Sequence, residues 1–191
     1  MKPKRVVLVG CGGIGSWLID PLLCFLQSEK FDGPVNLWDG DHYEDGNAVR
    51  QMFPPGSTNA NKAEAQLERC RDLYPGIGLF AYDEYVLKRS ISRVMDEDDV
   101  VISGVDNHPC RMLLANQAEE LRNVVLLTAG NELQDGNVHL TLVADGLHMT
   151  TPLLDRHPEI ITSKEGDRTH GCQNLIARGV TQLLVTNHAA A

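Results

Sequence analysis

Short apolar runs alternate along this chain with longer stretches of strong helix formers. The apolar runs fall at 6–9, 35–38, 79–82, 100–103 and 124–127. The helical stretches are predicted over 16–27, over 61–71 with Asn61 as its N-cap, and over a segment that ends near Leu121. Continuous apolar strands such as Val6-Val7-Leu8-Val9 are typical of parallel sheets that are buried on both faces. The alternation therefore predicts an α/β fold with a Rossmann-like, doubly wound and mostly parallel sheet.

The last third of the chain departs from this alternation. Residues 138–143 alternate between apolar and polar, which predicts an antiparallel strand. Residues 144–171 are polar and read as a crossover loop, and 173–188 return to a helical pattern. The final Asn187-His188-Ala-Ala-Ala has no helix-ending signal, and the sequence leaves open whether the C-terminus is truncated or frayed. The earlier stretch 41–58, with Gly, Asn and a Pro-Pro pair, predicts a loop or a short irregular helix.

Length and charge restrict the possible functions. The 191 residues fit one domain, and 17 basic against 26 acidic residues give a formal net charge of −9. No basic patch stands out, so we expect no nucleic-acid partner. No apolar stretch has the length of a signal peptide or a membrane span. We expect a cytoplasmic protein without a membrane partner.

A glycine-rich turn follows the first predicted strand directly. Gly10-Cys11-Gly12-Gly13-Ile14-Gly15 matches G-x-G-x-x-G between a strand and a helix, where backbone N–H groups and the helix N-terminus favour phosphates. Asp39 ends the second strand, where a carboxylate accepts hydrogen bonds from a ribose. The pattern predicts nucleotide binding, and by itself it leaves open whether the nucleotide is a dinucleotide or ATP.

Further charged and amide residues favour ATP. Basic side chains neutralise a triphosphate, and an acidic side chain holds Mg²⁺. Hydride transfer to or from a dinucleotide requires no such combination of basic, amide and acidic side chains. Asp106 follows a buried strand, at the carboxyl edge of the sheet where ligands bind in this architecture. The residues, in chain order, are Asp39, Asp41, Asn47, Arg50, Gln51, Lys62, Asp106, Asn107 and Arg111.

This set resembles the ThiF/MoeB/ubiquitin-activating-enzyme superfamily. The superfamily's core reads G-x-G-G-x-G, D-x-D, N-x-x-R-Q, Lys and D-N-x-x-x-R, and each element occurs here in order between residue 5 and about 143. The resemblance implies that Asp39 binds the ribose, that Asp106 carries Mg²⁺, and that Gln51 helps to position the phosphates. It assigns the phosphates themselves to Asn47, Arg50 and Lys62. The remaining cofactor-binding residues would be Gly10, Gly12, Gly13, Gly15, Asp41 and Asn107.

The resemblance also implies an activity. Members of the superfamily join the C-terminal carboxylate of a ubiquitin-like or sulfur-carrier protein, typically ending in Gly-Gly, to AMP. We therefore expect a single ATP-binding adenylation domain over 1–191, in a homodimer, with Arg50, Lys62 and Asp106 as catalytic residues. The chain looks most like stand-alone bacterial or phage ThiF-type proteins, such as those of PRTRC systems. An arginine that many members take from a partner subunit has no assigned source here.

The five cysteines divide into one candidate nucleophile and four packing residues. No CxxC pair occurs, so we expect reduced thiols and no structural zinc, unlike the superfamily's usual sulfur-carrier members. Cys172 lies between the predicted crossover loop and the last helix, where a helix N-terminus would lower its pKa. By resemblance, it is a candidate to form a thioester after adenylation. We interpret the other four as packing residues: Cys11, Cys24, Cys70 and Cys110.

Alternatives remain open at this point. An NAD-dependent oxidoreductase would use the same turn and Asp39, although it would not account for Arg50-Gln51 or Asp106-Asn107. A catalytically silent partner subunit is a second alternative. Within the enzyme class, the activated carboxylate could belong to a tRNA-bound group or a peptide, and the net charge of −9 disfavours tRNA.

Overall fold

A computed structural model describes residues 2–131 and 136–162 as one seven-stranded sheet flanked by helices. The strands are β1 (Val6–Val9), β2 (Pro34–Trp38), β3 (Gly78–Tyr82), β4 (Asp99–Ser103), β5 (Val124–Asn131), β6 (Gly136–Ala144) and β7 (Leu147–His148). The helices are α1 (Gly13–Ser28), α2 (Lys62–Arg71), α3 (Ile91–Val94), α4 (His108–Glu119), α5 (Leu153–Arg156) and α6 (Glu159–Thr162). A 3₁₀ helix spans Asp45–Val49.

The strand order across the sheet is β3-β2-β1-β4-β5-β6-β7. The first five strands in this order are parallel, with Val6 in register with both Val35 and Val100. β6 and β7 extend the sheet in antiparallel fashion, with Leu127 opposite Leu140. The predicted Rossmann-like α/β sheet and its antiparallel part near 138–143 are both confirmed.

The alternation of side chains along β1 produces two cores, one on each face of the sheet. Val6 and Leu8 pack with Ile19 and Leu23 of α1. Val7 and Val9 point the other way, into a cluster that includes Leu114 of α4. All four β1 side chains are at most 2% exposed. This explains the unbroken apolar run, since a strand that is buried on both faces has no position for a polar residue.

Two sequence interpretations need correction. The segment 144–171 is described up to residue 162, and there it holds β7 and two four-residue helices rather than a plain loop. Leu153 and Ile160 anchor these helices against Ala115 of α4, contacts between distant parts of the chain that no local pattern reveals. Cys24 is exposed on α1 rather than packed, whereas Cys11, Cys70 and Cys110 are buried. The predicted helix over 173–188 lies outside the described residues.

The first turn of α1 packs directly on the glycine turn. Gly10 has a φ of +90°, which favours glycine. A Cβ built on Gly15 would lie 1.8 Å from the carbonyl oxygen of Gly10, whereas one built on Gly13 meets nothing within 4 Å. The two glycines of α1 therefore have different roles, because only Gly15 is needed for the backbone contact.

A matched pair of substitutions tests this difference. Gly15→Ala is expected to destabilise the protein by about 3 kcal/mol, because the new methyl group forces α1 away from the turn. Gly13→Ala should stay within about 1 kcal/mol of the wild type, since alanine favours helix and has room there. Urea unfolding followed by circular dichroism measures both. Equal losses in the two variants would contradict the assigned contact.

Candidate functional site

The carboxyl ends of β1, β2 and β4 meet at one edge of the sheet, and the predicted nucleotide residues follow these strands. The glycine turn is held there by a hydrogen bond from Gly10 N to Trp38 O of 2.9 Å. Gly12 and Gly13 leave their surroundings open: the nearest atom to a Cβ on Gly12 is Gln51 Nε2, at 3.9 Å. Open glycines at the start of a helix allow close approach of a phosphate to backbone N–H groups.

Asp39 links β2 to the glycine turn. Its Oδ2 accepts a hydrogen bond of 2.7 Å from Cys11 N, and its Oδ1 accepts one of 2.9 Å from Asp41 N. Burial raises the pKa of this carboxyl, while the two N–H donors and Lys62 act in the opposite direction. A carboxylate has about four acceptor positions, so Asp39 retains capacity for ribose hydroxyls.

Asn61 joins three segments at this edge. Its Nδ2 donates to Asp39 O at 2.7 Å, to Asp41 O at 3.1 Å and to Asp83 Oδ1 at 2.8 Å. Its Oδ1 accepts from Glu64 N, which caps α2 as the sequence predicts. This residue therefore fixes where α2 begins relative to β2. The sequence signalled only the cap, and the bonds to Asp39 and Asp41 were not foreseen.

Lys62 is the first residue of α2 and lies within the same cluster. Its side chain is only 10% exposed, and its Nζ lies 3.3 Å from Asp41 Oδ2. Its backbone N–H also donates to Asp41 O. The ammonium is thus held near the end of β2 by the Asp41 carboxylate.

The loop 44–52 is fastened to the first turns of α1. Met52 N donates to Ser16 Oγ at 3.0 Å, and Trp17 Nε1 donates to Arg50 O at 3.2 Å. These bonds engage the backbone of Arg50 and leave its guanidinium without an ion pair among the described residues. The sequence did not identify Ser16 and Trp17 as supports, since a serine and a tryptophan on a helix have many simpler roles.

Asn47 and Gln51 differ in how much of their side chains is engaged. Asn47 is buried, and its Oδ1 accepts from Glu44 N at 3.1 Å, so it stabilises the 3₁₀ helix. Its predicted contact with phosphates stays a prediction. Gln51 is 5% exposed, and its Oε1 is buried without a hydrogen-bond partner. A buried, unsatisfied amide oxygen beside the glycine turn is a sign of a missing polar partner.

Asp106 and Asn107 lie in the loop between β4 and α4. Asp106 is exposed, and Asn107 Oδ1 accepts from Cys110 N at 2.9 Å as the N-cap of α4. Arg111 Nη2 donates to Val105 O at 2.9 Å, which fixes the backbone just before Asp106. The predicted metal-binding carboxylate therefore stands on a supported loop and faces solvent.

Tyr85 is a site residue that sequence reasoning missed. A Cβ on Gly40 would lie 2.7 Å from the Tyr85 ring, so the ring packs on the backbone between the two acids of D-x-D. The Tyr85 hydroxyl donates to Asp41 Oδ1. No pattern indicated this contact, because Tyr85 stands in a loop 44 residues from Asp41.

A wide groove of about 730 Å³ lies elsewhere, between the Pro54–Ser57 loop and α2. It contains none of the predicted site residues. In the part of the chain that the structure describes, no group of three or more His, Cys, Asp or Glu is placed to hold a metal ion. Within the same residues, no helix has the length and apolarity needed to cross a membrane.

Comparison with known proteins agrees with this geometry. The model of the ThiF family matches residues 1–189. The chain belongs to the ThiF family. Among curated proteins, this ThiF-family chain is 30% identical over 144 residues to the SAMP-activating enzyme E1 of Haloferax volcanii. It is 25% identical over 140 residues to the adenylyltransferase and sulfurtransferase UBA4 of Yarrowia lipolytica.

The match covers 75% and 73% of the chain, but only 51% of the Haloferax protein and 34% of the Yarrowia protein. The chain thus spans about half the length of these relatives or less.

Two solved structures share the fold. PaaA superposes with a TM-score of 0.70 at 18% identity, over 99% of this chain and 53% of PaaA. Escherichia coli TcdA in complex with AMP superposes with a TM-score of 0.57 at 22% sequence identity, over 69% of this chain and 58% of TcdA.

The structure thus brings the glycine turn, Asp39, Asp41 and Lys62 together, with Gln51 and Arg50 on the adjoining loop. Asp106 stands on the next loop along the sheet edge. Cys172 lies outside the described residues, so its role as a nucleophile stays a prediction.

Substitutions at Asn61 test the cross-link that holds the edge together. Asn61→Ala removes the cap and all three Nδ2 bonds, and we expect a loss of about 2–3 kcal/mol. Asn61→Asp keeps an acceptor for Glu64 N but places a carboxylate oxygen against two carbonyls and Asp83. It should be at least as destabilised as the alanine variant near neutral pH.

The pH dependence provides the control. In Asn61→Asp the folded state holds the new proton more tightly than the unfolded state does, because ionisation is opposed by Asp83 and the carbonyls. The pKa of the new carboxyl is then raised in the folded state, so the stability lost at neutral pH should return as the pH falls toward about 4. Urea unfolding of the aspartate and alanine variants at neutral pH and at about pH 4 measures this recovery of stability. A loss in Asn61→Asp that does not change with pH would contradict the geometry.

Proposed function

We propose that this chain is an ATP-dependent adenylyltransferase that activates a carboxylate. The observation that carries the proposal is the convergence of the open glycine turn, the Asp39 carboxylate and the Lys62 ammonium at one edge of the sheet. TcdA, which shares the fold, has been solved in complex with AMP, and the Yarrowia relative bears the name of an adenylyltransferase. These names support the same chemistry.

The described residues fit ATP. The nearest side-chain atom to Gly12 is the Gln51 amide, and nothing lies within 4 Å of a Cβ on Gly13, so a phosphate has access to the first N–H groups of α1. Asp39 would accept from the ribose. Lys62 and Arg50 would balance the charge of the phosphates, and the unpartnered Oε1 of Gln51 marks a place for a ligand donor or an ordered water.

Asp106 fits Mg²⁺ bound together with a nucleotide. Magnesium is typically held by one or two carboxylates plus substrate phosphates and water, and Asp106 offers an exposed carboxylate on a supported loop. When bound, the ion would supply charge neutralisation on the phosphate oxygens. The hydrogen bond from Arg111 Nη2 to Val105 O keeps the backbone of the Asp106 loop in place.

The reaction that these groups suit is an in-line displacement at the α-phosphorus. A carboxylate oxygen of the substrate forms a new bond to that phosphorus, and the bond to the bridging oxygen of pyrophosphate breaks. Negative charge then develops on the pyrophosphate. Lys62 and Arg50 would stabilise this charge, while Asp39 and the glycine turn hold the nucleoside in line.

The carboxylate would be the C-terminus of a small ubiquitin-like or sulfur-carrier protein that ends in Gly-Gly. The names of the relatives support this part, since one is a SAMP-activating enzyme E1 and the Yarrowia relative is an adenylyltransferase and sulfurtransferase. A cytoplasmic homodimer and a thioester on Cys172 belong to the same proposal. ATP–pyrophosphate exchange that rises when a Gly-Gly-ending carrier is added would support the substrate, and exchange with a peptide alone would point to a peptide carboxylate instead.

Asp106→Ala tests the metal assignment. In the wild type, Mg²⁺ is expected to raise the affinity for ATP at least about tenfold, or 1.4 kcal/mol, in calorimetric titration. In Asp106→Ala this enhancement and the exchange activity should be lost, while thermal unfolding stays unchanged because the side chain is exposed.

Asp32→Ala is the matched control for that experiment. Asp32 is also exposed and lies just before β2, near the opposite edge of the sheet, where it pairs with Lys2. Its removal should leave the Mg²⁺ effect intact. NAD⁺ in place of ATP should show no comparable binding. A wild-type chain that binds NAD⁺ and not ATP would overturn the proposed activity.

Tyr85 is expected to contribute to nucleotide affinity by closing the ribose end of the site. Tyr85→Ala removes both the ring on Gly40 and the bond to Asp41, and should weaken ATP binding about tenfold because the acids lose their support. Tyr85→Phe keeps the ring, and its affinity for ATP should fall less than that of the alanine variant. Calorimetry with ATP ranks the three proteins. Tighter binding in the alanine variant would show instead that the ring obstructs the site.

A further inference from the structure

The side of the sheet that carries α1 is covered by helices at one end only. There α1 and α2 pack on β1 and β2, and Val6, Leu8 and Val35 are buried beneath them. The opposite side is covered much further along, since α4 packs on Val143 of β6 and α5 lies beside α4. On the α1 side of β6 and β7, the described residues supply no comparable cover.

Apolar side chains line this uncovered part of the sheet. Leu140 of β6 lies opposite Leu127, which packs with the α1 core, so alternate residues of β6 face the α1 side. Leu147 of β7 lies opposite Ala144 and faces the same way. Val138, Leu140 and Leu147 are 57%, 39% and 66% exposed. We call these three side chains the β6–β7 face.

The β6–β7 face carries no charge. The strands β6 and β7 contain no Asp, Glu, Lys or Arg, and their two histidines lie on the α4 side, where His148 pairs with Glu119. Aliphatic side chains that stay in water forgo the free energy of burial, and a contiguous group of them marks an interaction surface. The chemistry of this face therefore fits an apolar, uncharged partner.

The chain itself contains a segment with a matching pattern. Residues 163–191 follow α6 and lie outside the described residues. Within them, 173–188 predict a helix with apolar residues at i, i+4, i+7 and i+8, namely Ile176, Val180, Leu183 and Leu184. Arg178 is the one residue of 173–188 among Lys, Arg, Asp and Glu, and it falls on the opposite side of that predicted helix. The apolar side is thus as free of charge as the β6–β7 face.

The connection to this segment is long enough to reach the face. The ten residues 163–172 join Thr162, at the end of α6, to the start of the segment. A fully extended stretch of that length spans about 33 Å. Because α6 packs on α4, the chain has to pass the β7 edge of the described sheet to reach the α1 side. Helices on the two sides of a sheet have axes about 20 Å apart, so the distance is within reach.

We propose that residues 173–188 dock as a helix on the β6–β7 face and complete the α1 side of the sheet. A second copy of the chain and a different protein are the alternative occupants. The segment is favoured over both because its apolar pattern matches the face and because its covalent attachment gives it a high effective concentration there. The docking requires no nucleotide, so it is independent of the proposed adenylation.

Trypsin cleavage after Arg178 in the full chain measures the docking, because the protease cuts only where the backbone has opened. A synthetic peptide of residues 170–188 gives the rate for the undocked sequence. In the wild-type chain, cleavage after Arg178 should be at least about 100-fold slower than in the peptide. Cleavage after Arg69 of α2 in the same digest reports global unfolding, since Asp20 holds that side chain within the fold.

Two pairs of leucines with matched exposure locate the docking surface. Leu140→Asn and Leu147→Asn, on the face, should each speed cleavage after Arg178 at least about tenfold and leave cleavage after Arg69 unchanged. The controls are Leu87→Asn and Leu73→Asn, because Leu87 is 40% exposed and Leu73 is 61% exposed elsewhere on the described structure. Both controls should change the rate less than about twofold. Two face variants are used so that misfolding of one leaves the other as the test.

A substitution in the segment tests the other side of the contact. Leu183→Asn should speed cleavage after Arg178 as Leu140→Asn does, whereas Gln182→Asn, on the predicted polar side, should not. Each is compared with a peptide that carries the same substitution. Combining Leu140→Asn with Leu183→Asn should add less than the sum of the two free-energy changes, since both residues belong to one contact.

Three results would overturn the proposal. The first is an equal rate of cleavage after Arg178 in the wild-type chain and in the peptide. The second is an effect of the face leucines no larger than that of their controls. The third is protection of Arg178 that falls at least about tenfold when the protein is diluted from about 50 µM to about 0.5 µM, because this dependence indicates a second copy as the occupant.

Discussion

The packing of α1 on the turn at Gly10 determines the geometry of the candidate site. A side chain at position 15 would overlap the Gly10 carbonyl, so only glycine lets the helix start this close to the end of β1. The same approach brings Cys11 N to the Asp39 carboxylate at 2.7 Å. Because the helix and β2 share this turn, the first backbone N–H groups of α1 and the Asp39 carboxylate hold one fixed separation.

A second layer of bonds attaches the rest of the site to that turn. Asn61 connects α2 to the carbonyls of Asp39 and Asp41, and Ser16 connects α1 to the backbone of Met52. The charged side chains therefore stand on elements whose backbones are tied to one another. Neither Lys62 nor Arg50 thus depends on a long unsupported loop, and such fixed placement is the condition under which charged groups stabilise a ligand effectively.

The sequence predicted those parts of the fold that rest on local patterns. The parallel strands were evident because both faces of β1 and β4 need apolar side chains, and α2 was evident from its Asn61 cap and its helix formers. The candidate residues at the strand ends followed from topology, since the carboxyl ends of neighbouring parallel strands share one edge. Local pattern and global fold agree at these places.

The parts that escaped prediction rest on contacts between distant segments. The helices α5 and α6 have four residues each and exist because Leu153 and Ile160 pack on α4. Tyr85 reaches Asp41 from a loop, and Asn61 has bonding partners that a capping rule does not reveal. The burial of single cysteines is equally invisible in the sequence, since Cys24 on α1 faces solvent while Cys11 in the glycine turn is buried.

The two polar regions of this sheet edge follow from one rule of open α/β sheets. Strands end where helices begin, so backbone donors, capping side chains and loop residues accumulate at the carboxyl edge. At β1 and β2 the sequence fills that position with glycines and acids, and at β5 and β6 it fills it with imidazoles around Arg111. The Asp106 loop stands between the two regions and is bonded through Val105 O to Arg111. The hydrogen bond from Arg111 to Val105 O therefore fixes the backbone that leads into Asp106, at the boundary between the two polar regions.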